Sequence, residues 1–240
     1  MLKLLEYTVR SRPVTLPMIV LGMSLLTVSP HAQSQTVNPL GNKAEANQAE
    51  AEHPIFEALK RDEVFRLMRS LDTEFRKKPL PIHPIWGSLL HSAAAEKAPQ
   101  TLRYLLSRSD LPVDASNARG ETALMLVAKQ GDIPMAEQLV KKGAQINRQG
   151  WTPLHYAAAF DQRPMVDWLL DRDAYIDAES PARITPLMMA VREGHEALAM
   201  HLVRQGADVS YRSHSGLTAM DYARQLGRDQ FAAWLFDRIR

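Results

Sequence analysis

Eight histidines are the residues of this 240-residue chain whose spacing could do chemistry. His195 followed by Glu196 opens like the helix of a zinc protease, which needs a second histidine one turn on so that two imidazoles share a face. The fifth position is Ala199, so the ligand pair is missing. His91 and His155 each lie three residues after a hydroxyl side chain, Ser88 and Thr152, and read as histidines that bond nearby backbone rather than as catalysts. There is no G-x-S-x-G elbow, no P-loop and no G-x-G-x-x-G, hence no nucleophile or phosphate cradle. The absence of cysteine removes disulfides, thiolate catalysis, cysteine-ligated zinc and a lipid-modified cysteine. Met188, Met189, Met200 and Met220 recur at helical spacing and read as core filling. No catalytic residue, cofactor or metal site is expected.

The elements that carry these residues repeat. The clearest copy is Gly150-Trp151-Thr152-Pro153-Leu154-His155-Tyr156-Ala157-Ala158, with Leu169-Leu170 and Ala174-Tyr175-Ile176-Asp177 behind it. Thr185-Pro186-Leu187 with Gly194-His195, Leu202-Val203 and Gly206-Ala207-Asp208-Val209 is a second copy. Gly120-Glu121-Thr122-Ala123-Leu124 and Gly216-Leu217-Thr218-Ala219-Met220 open two more, and Ser88-Leu89-Leu90-His91 opens a degenerate one. The anchors Ser88, Thr122, Thr152, Thr185 and Thr218 are spaced 34, 30, 33 and 33 residues. This pattern resembles the ankyrin repeat over roughly two-thirds of the chain, through its threonine-proline-leucine-histidine signature and 33-residue period. The resemblance implies an all-α solenoid of stacked helix-turn-helix units with finger loops, and more narrowly an exported bacterial member of the family.

Local physics leads to the same elements. Thr152 and Thr185 stand where a hydroxyl caps orphan amides, and Pro153 and Pro186 follow at the first helical position, where a missing N–H costs nothing. Pro134 and Pro164 fall in the first turn of the second helices. Gly143 and Gly206 end those helices in the left-handed conformation, a position Asp173 fills in the intervening copy with less comfort. Between Gly143 and Thr152 the chain is three residues shorter than between Gly206 and Thr218, which predicts a shorter finger there. The signature histidine becomes Met125, Met188 and Asp221 elsewhere, so no shared chemistry depends on it.

The first 34 residues read as a secretory signal peptide: three basic residues up to Pro13, an apolar run over 14–28, and small residues at Ala32 and Ser34 for cleavage. That run is short for a membrane span, so the membrane is met only transiently, although a retained anchor stays open. Residues 35–53 read as a flexible linker and 54–84 as an N-terminal helical cap and loop. The repeats then occupy about 85–117, 118–147, 148–180, 181–213 and 214–240. The leader's net charge of +2 equals the formal +2 of the whole chain, which leaves the remainder near neutrality and makes nucleic acid an unlikely partner. A periplasmic or secreted location is expected.

The family resemblance implies that another protein is bound on the concave surface made by finger tips and first helices. Carried over residue by residue, the surface includes Arg119, Glu121, Lys129, Gln130, Arg148, Trp151, Ala159, Phe160, Ile184, Arg192, Glu193 and His214. Trp151 and Phe160 stand out as an aromatic hot spot, with Arg119, Arg148 and Arg192 as a basic rim suited to an acidic or mixed surface. The alternative is that Trp151 folds onto a neighbouring finger and Phe160 packs under its turn. Two other functions compete with a binding scaffold: an exported effector acting on host proteins, and an enzyme with its site in the groove.

Overall fold

The computed structural model describes residues 53–75, 80, 82, 83 and 87–239. The expected signal peptide, the linker up to residue 52 and parts of the 76–86 loop lie outside the described residues. Among those described there are twelve helices and no strand beyond one antiparallel bridge between His83 and Gly87. In chain order they are α1 (Pro54–Lys60), α2 (Val64–Thr73), α3 (Leu89–Ala95), α4 (Pro99–Ser107), α5 (Ala123–Gln130) and α6 (Ile133–Lys141). Then come α7 (Pro153–Ala159), α8 (Arg163–Leu170), α9 (Pro186–Arg192), α10 (Glu196–Arg204), α11 (Ala219–Gln225) and α12 (Asp229–Phe236).

The helices pair, and the pairs stack. The first helices α1, α3, α5, α7, α9 and α11 touch in sequence along one row. They approach closely because small residues face the neighbours: Ala93, Ala94, Ala128, Ala157, Ala158, Ala190 and Ala223 are all fully buried. Second helices fill the other row, where Leu139, Leu169, Leu202 and Leu235 occupy matching rungs, each at 0% exposure. Burying each such side chain contributes roughly 1.5–3 kcal/mol, so no pair is stable alone and the stack supplies the core.

Thr122, Thr185 and Thr218 cap their helices, each hydroxyl oxygen accepting the N–H three residues on at 3.3 Å. Left-handed residues punctuate every turn between paired helices, and half are not glycine: Asp62, Lys97, Gly131, Asp161, Gly194 and Gly227. That register includes Asp62, and α1 and α2 pack as a helical pair against α3 and α4 at the N-terminal end of the described stack. Gly143 and Gly206 take positive φ after α6 and α10, and Asp173 takes the same place at φ 60°.

A polar latch fixes one unit to the next. Asp114 Oδ1 accepts the Gln145 N–H at 3.0 Å, Asn147 Oδ1 the Tyr175 N–H at 2.8 Å, and Asp177 Oδ1 the Asp208 N–H at 3.0 Å. Asp62 does the same for Thr101 at 2.7 Å. Three of these bonds tie exposed loop amides of successive units, and the Asp62 bond reaches an amide in the first turn of α4.

Candidate protein-binding face

The finger loops and the exposed ends of the first helices form one side of the stack. The fingers are tight turns: Asn117 N–H donates to Glu121 O and Gly120 N–H to Asn117 O, both at 2.9 Å, and the turns at Ser180–Ile184 and Ser213–Leu217 close in the same way. At their tips Gly120, Gly150, Arg183 and Gly216 share positive φ.

The signature histidines serve this frame. His155 Nε2 lies 2.8 Å from Ile184 O, and a carbonyl can only accept, so Nε2 carries the proton. Nδ1 then accepts from the Thr152 N–H at 3.2 Å and the Thr152 hydroxyl at 2.9 Å. His91 repeats the arrangement, with Nε2 donating to Glu121 O at 3.0 Å and Nδ1 accepting from the Ser88 hydroxyl at 2.7 Å. Each imidazole ties its own helix start to the next finger. Burial pushes the His155 ring down to about 4 and lowers His91 as well, so both are neutral at pH 7. His195, the residue that opens like a zinc site, contacts Ala159 O through Nε2 at 3.1 Å. Among the described residues no three His, Asp or Glu side chains are grouped to hold a metal ion, and no helix is long and apolar enough to cross a membrane.

The side chains assigned to binding fall into two groups. Arg119 is exposed at a finger tip, Arg148 and Trp151 are half-buried at the next finger, and His214 is exposed on a finger whose N–H donates to Ala182 O at 2.9 Å. On the first helices, Lys129 and Arg192 are half-buried, Glu193 is exposed after α9, and Phe160 caps α7 with 38% of its surface in solvent. Lys129 Nζ sits 4.5 Å from the Phe160 ring centroid and the Arg192 guanidinium 5.6 Å from that of Tyr222.

Several assignments require correction. Trp151 and Phe160 are not in mutual contact at one end of the helix but flank the seven residues of α7, roughly 10 Å of helix. Trp151 leans edge-on against His155, ring centroids 5.2 Å apart. Gln130 is held by the fold, its Nε2 donating to Ala94 O and Ala95 O at 3.0 and 2.9 Å. Glu121, Ala159 and Ile184 are buried. Glu121 instead accepts the Asn117 amide at 2.8 Å and the Tyr156 hydroxyl at 3.2 Å, and burial followed by this carboxylate raises the Tyr156 phenol above its ordinary range.

Two residues on this face escaped the sequence reading. Arg183 stands where other fingers place glycine, and Tyr222 stands four residues after its threonine anchor, in the register of Tyr156. Aligning the copies position by position exposes both.

Near and on the second helices, Arg163, Arg172 and Arg228 pair with Asp167, Glu137 and Glu196. Arg119, Lys129, Arg148 and Arg192 have no carboxylate within ion-pair distance among the described residues. The finger and first-helix side thus carries four cations without a paired carboxylate, as Arg69, Arg103, Lys141 and Arg204 are on the second helices.

Comparison with known proteins places this architecture. A family model described as ankyrin repeats in three copies matches residues 90–180, and one described as ankyrin repeat matches residues 183–214, together just over half of the chain. The chain is 33% identical over 164 residues to protein glp-1 of Caenorhabditis elegans, covering 62% of this chain and 13% of that protein. It is 34% identical over 144 residues to the mouse (Mus musculus) nuclear factor NF-kappa-B p105 subunit, covering 57% and 15%. With the human (Homo sapiens) neurogenic locus notch homolog protein 4 it shares 36% identity over 114 residues, covering 46% and 6%. The chain thus spans a small fraction of the length of these relatives.

Proposed function

The chain belongs to the ankyrin-repeat family, and from that membership we propose that it is a non-catalytic scaffold holding a protein partner on its finger and first-helix face. Ankyrin repeats are protein-interaction modules, and this face carries what such a partner needs. The observation that supports the reading best is the solvent-facing Phe160 with Lys129 Nζ 4.5 Å from its ring centroid, on a side that also carries the unpaired Arg119, Arg148 and Arg192. An exposed aromatic stacked under a lysine gives an apolar anchor with a positive collar, complementary to an acidic protein segment.

The test is capture of the partner from the exported compartment by wild-type and Phe160→Ala proteins. Removal of the ring is expected to weaken capture by about 2 kcal/mol, near thirtyfold, with the helical signal unchanged. Trp151→Ala is the weaker probe, because its ring also supports His155. Unchanged capture by Phe160→Ala places the site elsewhere.

We further propose that residues 1–34 direct export, so that the scaffold works in the periplasm or outside the cell. Fractionation with a C-terminal tag tests this, and cytosolic full-length protein would reject it. An effector that leaves the cell would use the same face, and recovery from the medium rather than the periplasm would favour that role.

A further inference from the structure

The shortened finger differs from its neighbours in a way that the general use of this face does not explain. The interval from Gly143 to Thr152 lacks three residues present between Gly206 and Thr218. What remains leans toward the following finger: a Cβ on Gly150 would stand 3.7 Å from both Cγ and Cδ of Pro181. On the opposite side an open cleft of about 400 Å³ is left, lined by Asp114, Gln145, Arg148 and Gln149.

Arg148 reaches across this gap. Both of its terminal nitrogens are 3.4 Å from Ser116 Oγ of the preceding finger, a long contact with a neutral hydroxyl. Arg119 is likewise without a carboxylate among the described residues at its exposed tip, whereas three other arginines of these segments are satisfied within their own loops. Arg108 pairs with Asp110 at 2.7 Å, Arg183 with Glu179 at 2.9 Å, and Arg212 donates to Gly216 O at 2.8 Å. Arg148 keeps the planar fork that matches a carboxylate, with the exposed Gln149 amide beside it as a further donor. Asp114, which uses Oδ1 to accept the Gln145 N–H, puts one negative charge on the same wall.

We infer that this cleft receives a single acidic side chain of the bound partner, its carboxylate held by Arg148. The inference rests on the reading of this face as the partner-binding face. One guanidinium, one carboxylate and two carboxamides accept an isolated Glu or Asp flanked by neutral residues, and Asp114 repels a second acid. The row of cations thus attracts acidic protein in general, while the cleft selects register.

The experiment is an NMR titration of the full chain, ¹⁵N-labelled, with acetyl-Gly-Glu-Gly-amide, acetyl-Gly-Gln-Gly-amide and acetyl-Glu-Glu-Glu-amide. A saturable shift of the Arg148 Nε–Hε resonance is expected with the first peptide, and at least tenfold weaker binding with the other two. Arg148→Gln is expected to abolish perturbation of the neighbouring Gln149 amide, and Arg148→Lys, which keeps the charge but not the fork, to weaken it several-fold. Inserting three residues after Gln149 restores finger length and is expected to abolish the response with helicity intact. Equal response to the Glu and Gln peptides, or an unaltered response in the lengthened finger, overturns the inference. Phe160→Ala leaves the cleft whole: if it spares partner capture while the peptide shift persists, the Phe160-anchored partner reading falls and the cleft stands as a carboxylate site; if it impairs capture while the wild-type shift is absent, only the cleft falls.

Discussion

His155 shows how one side chain of the signature can act as structure and carry a pH dependence. Its ring is buried, donates from Nε2 to the next finger and accepts at Nδ1 from Thr152, an arrangement open only to the neutral imidazole. The folded-state value of about 4 lies below the ordinary 6.5, so between these pH values the unfolded chain binds the proton and the folded one does not. Stability is therefore full above about pH 6.5, falls as pH drops toward 4, and loses about 3 kcal/mol over that range from this residue. Urea denaturation at a series of pH values measures the slope. Methionine occupies the same position at Met125 and Met188, so His155→Met is expected to fold, to lose about 1–2 kcal/mol at pH 7 with its hydrogen bonds, and to flatten this slope. His91, also lowered by burial, retains a share.

At the scale of the helix pair, capping and left-handed turns decide where each element begins and stops. Thr185 caps α9 through Met188 N–H at 3.3 Å, and Thr185→Ala is expected to destabilise the protein by about 1 kcal/mol in thermal or chemical denaturation. Asp173 tests the opposite sign. It takes φ 60° at the exposed end of α8, where the neighbouring units have Gly143 and Gly206. Asp173→Gly relieves the clash of Cβ with its own carbonyl, and a gain of about 0.5–1 kcal/mol, a few degrees in Tm, is expected by calorimetry. A loss would mean that the aspartate side chain makes a contact worth more than the backbone strain. The non-glycine turn residues Asp62, Lys97, Asp161 and Arg183 carry the same lesson, because pattern matching on glycine passes over them.

Across the whole stack, each unit touches only its neighbours, so damage should spread by position rather than by severity. Leu202 and Leu235 are equally buried, and either change to alanine is expected to remove about 2–5 kcal/mol of local stability. Leu202 sits in α10 with units on both sides, whereas Leu235 sits in α12, the last described helix. Amide hydrogen exchange is expected to rise on both flanks of α9–α10 in Leu202→Ala and to stay within α11–α12 in Leu235→Ala. Uniform exchange in both variants would contradict nearest-neighbour stacking.

The repeat, its helices and its leucine rungs were determined by the sequence itself, because capping threonines, N1 prolines and buried Leu/Val pairs act through contacts within a few residues or one period away. Even the shorter finger follows from counting. What only the tertiary structure decided is which side chains of the binding register stay free. Glu121, Gln130, Ala159 and Ile184 share that register with Lys129 and Phe160, but neighbouring units consume or bury the first four and leave the last two. Such selection depends on stagger between neighbouring units and on where a carboxylate happens to fall: Arg183 finds Glu179 while Arg148 finds only a hydroxyl. Distances of a few ångströms between residues some thirty positions apart set that outcome, and periodicity alone does not contain them.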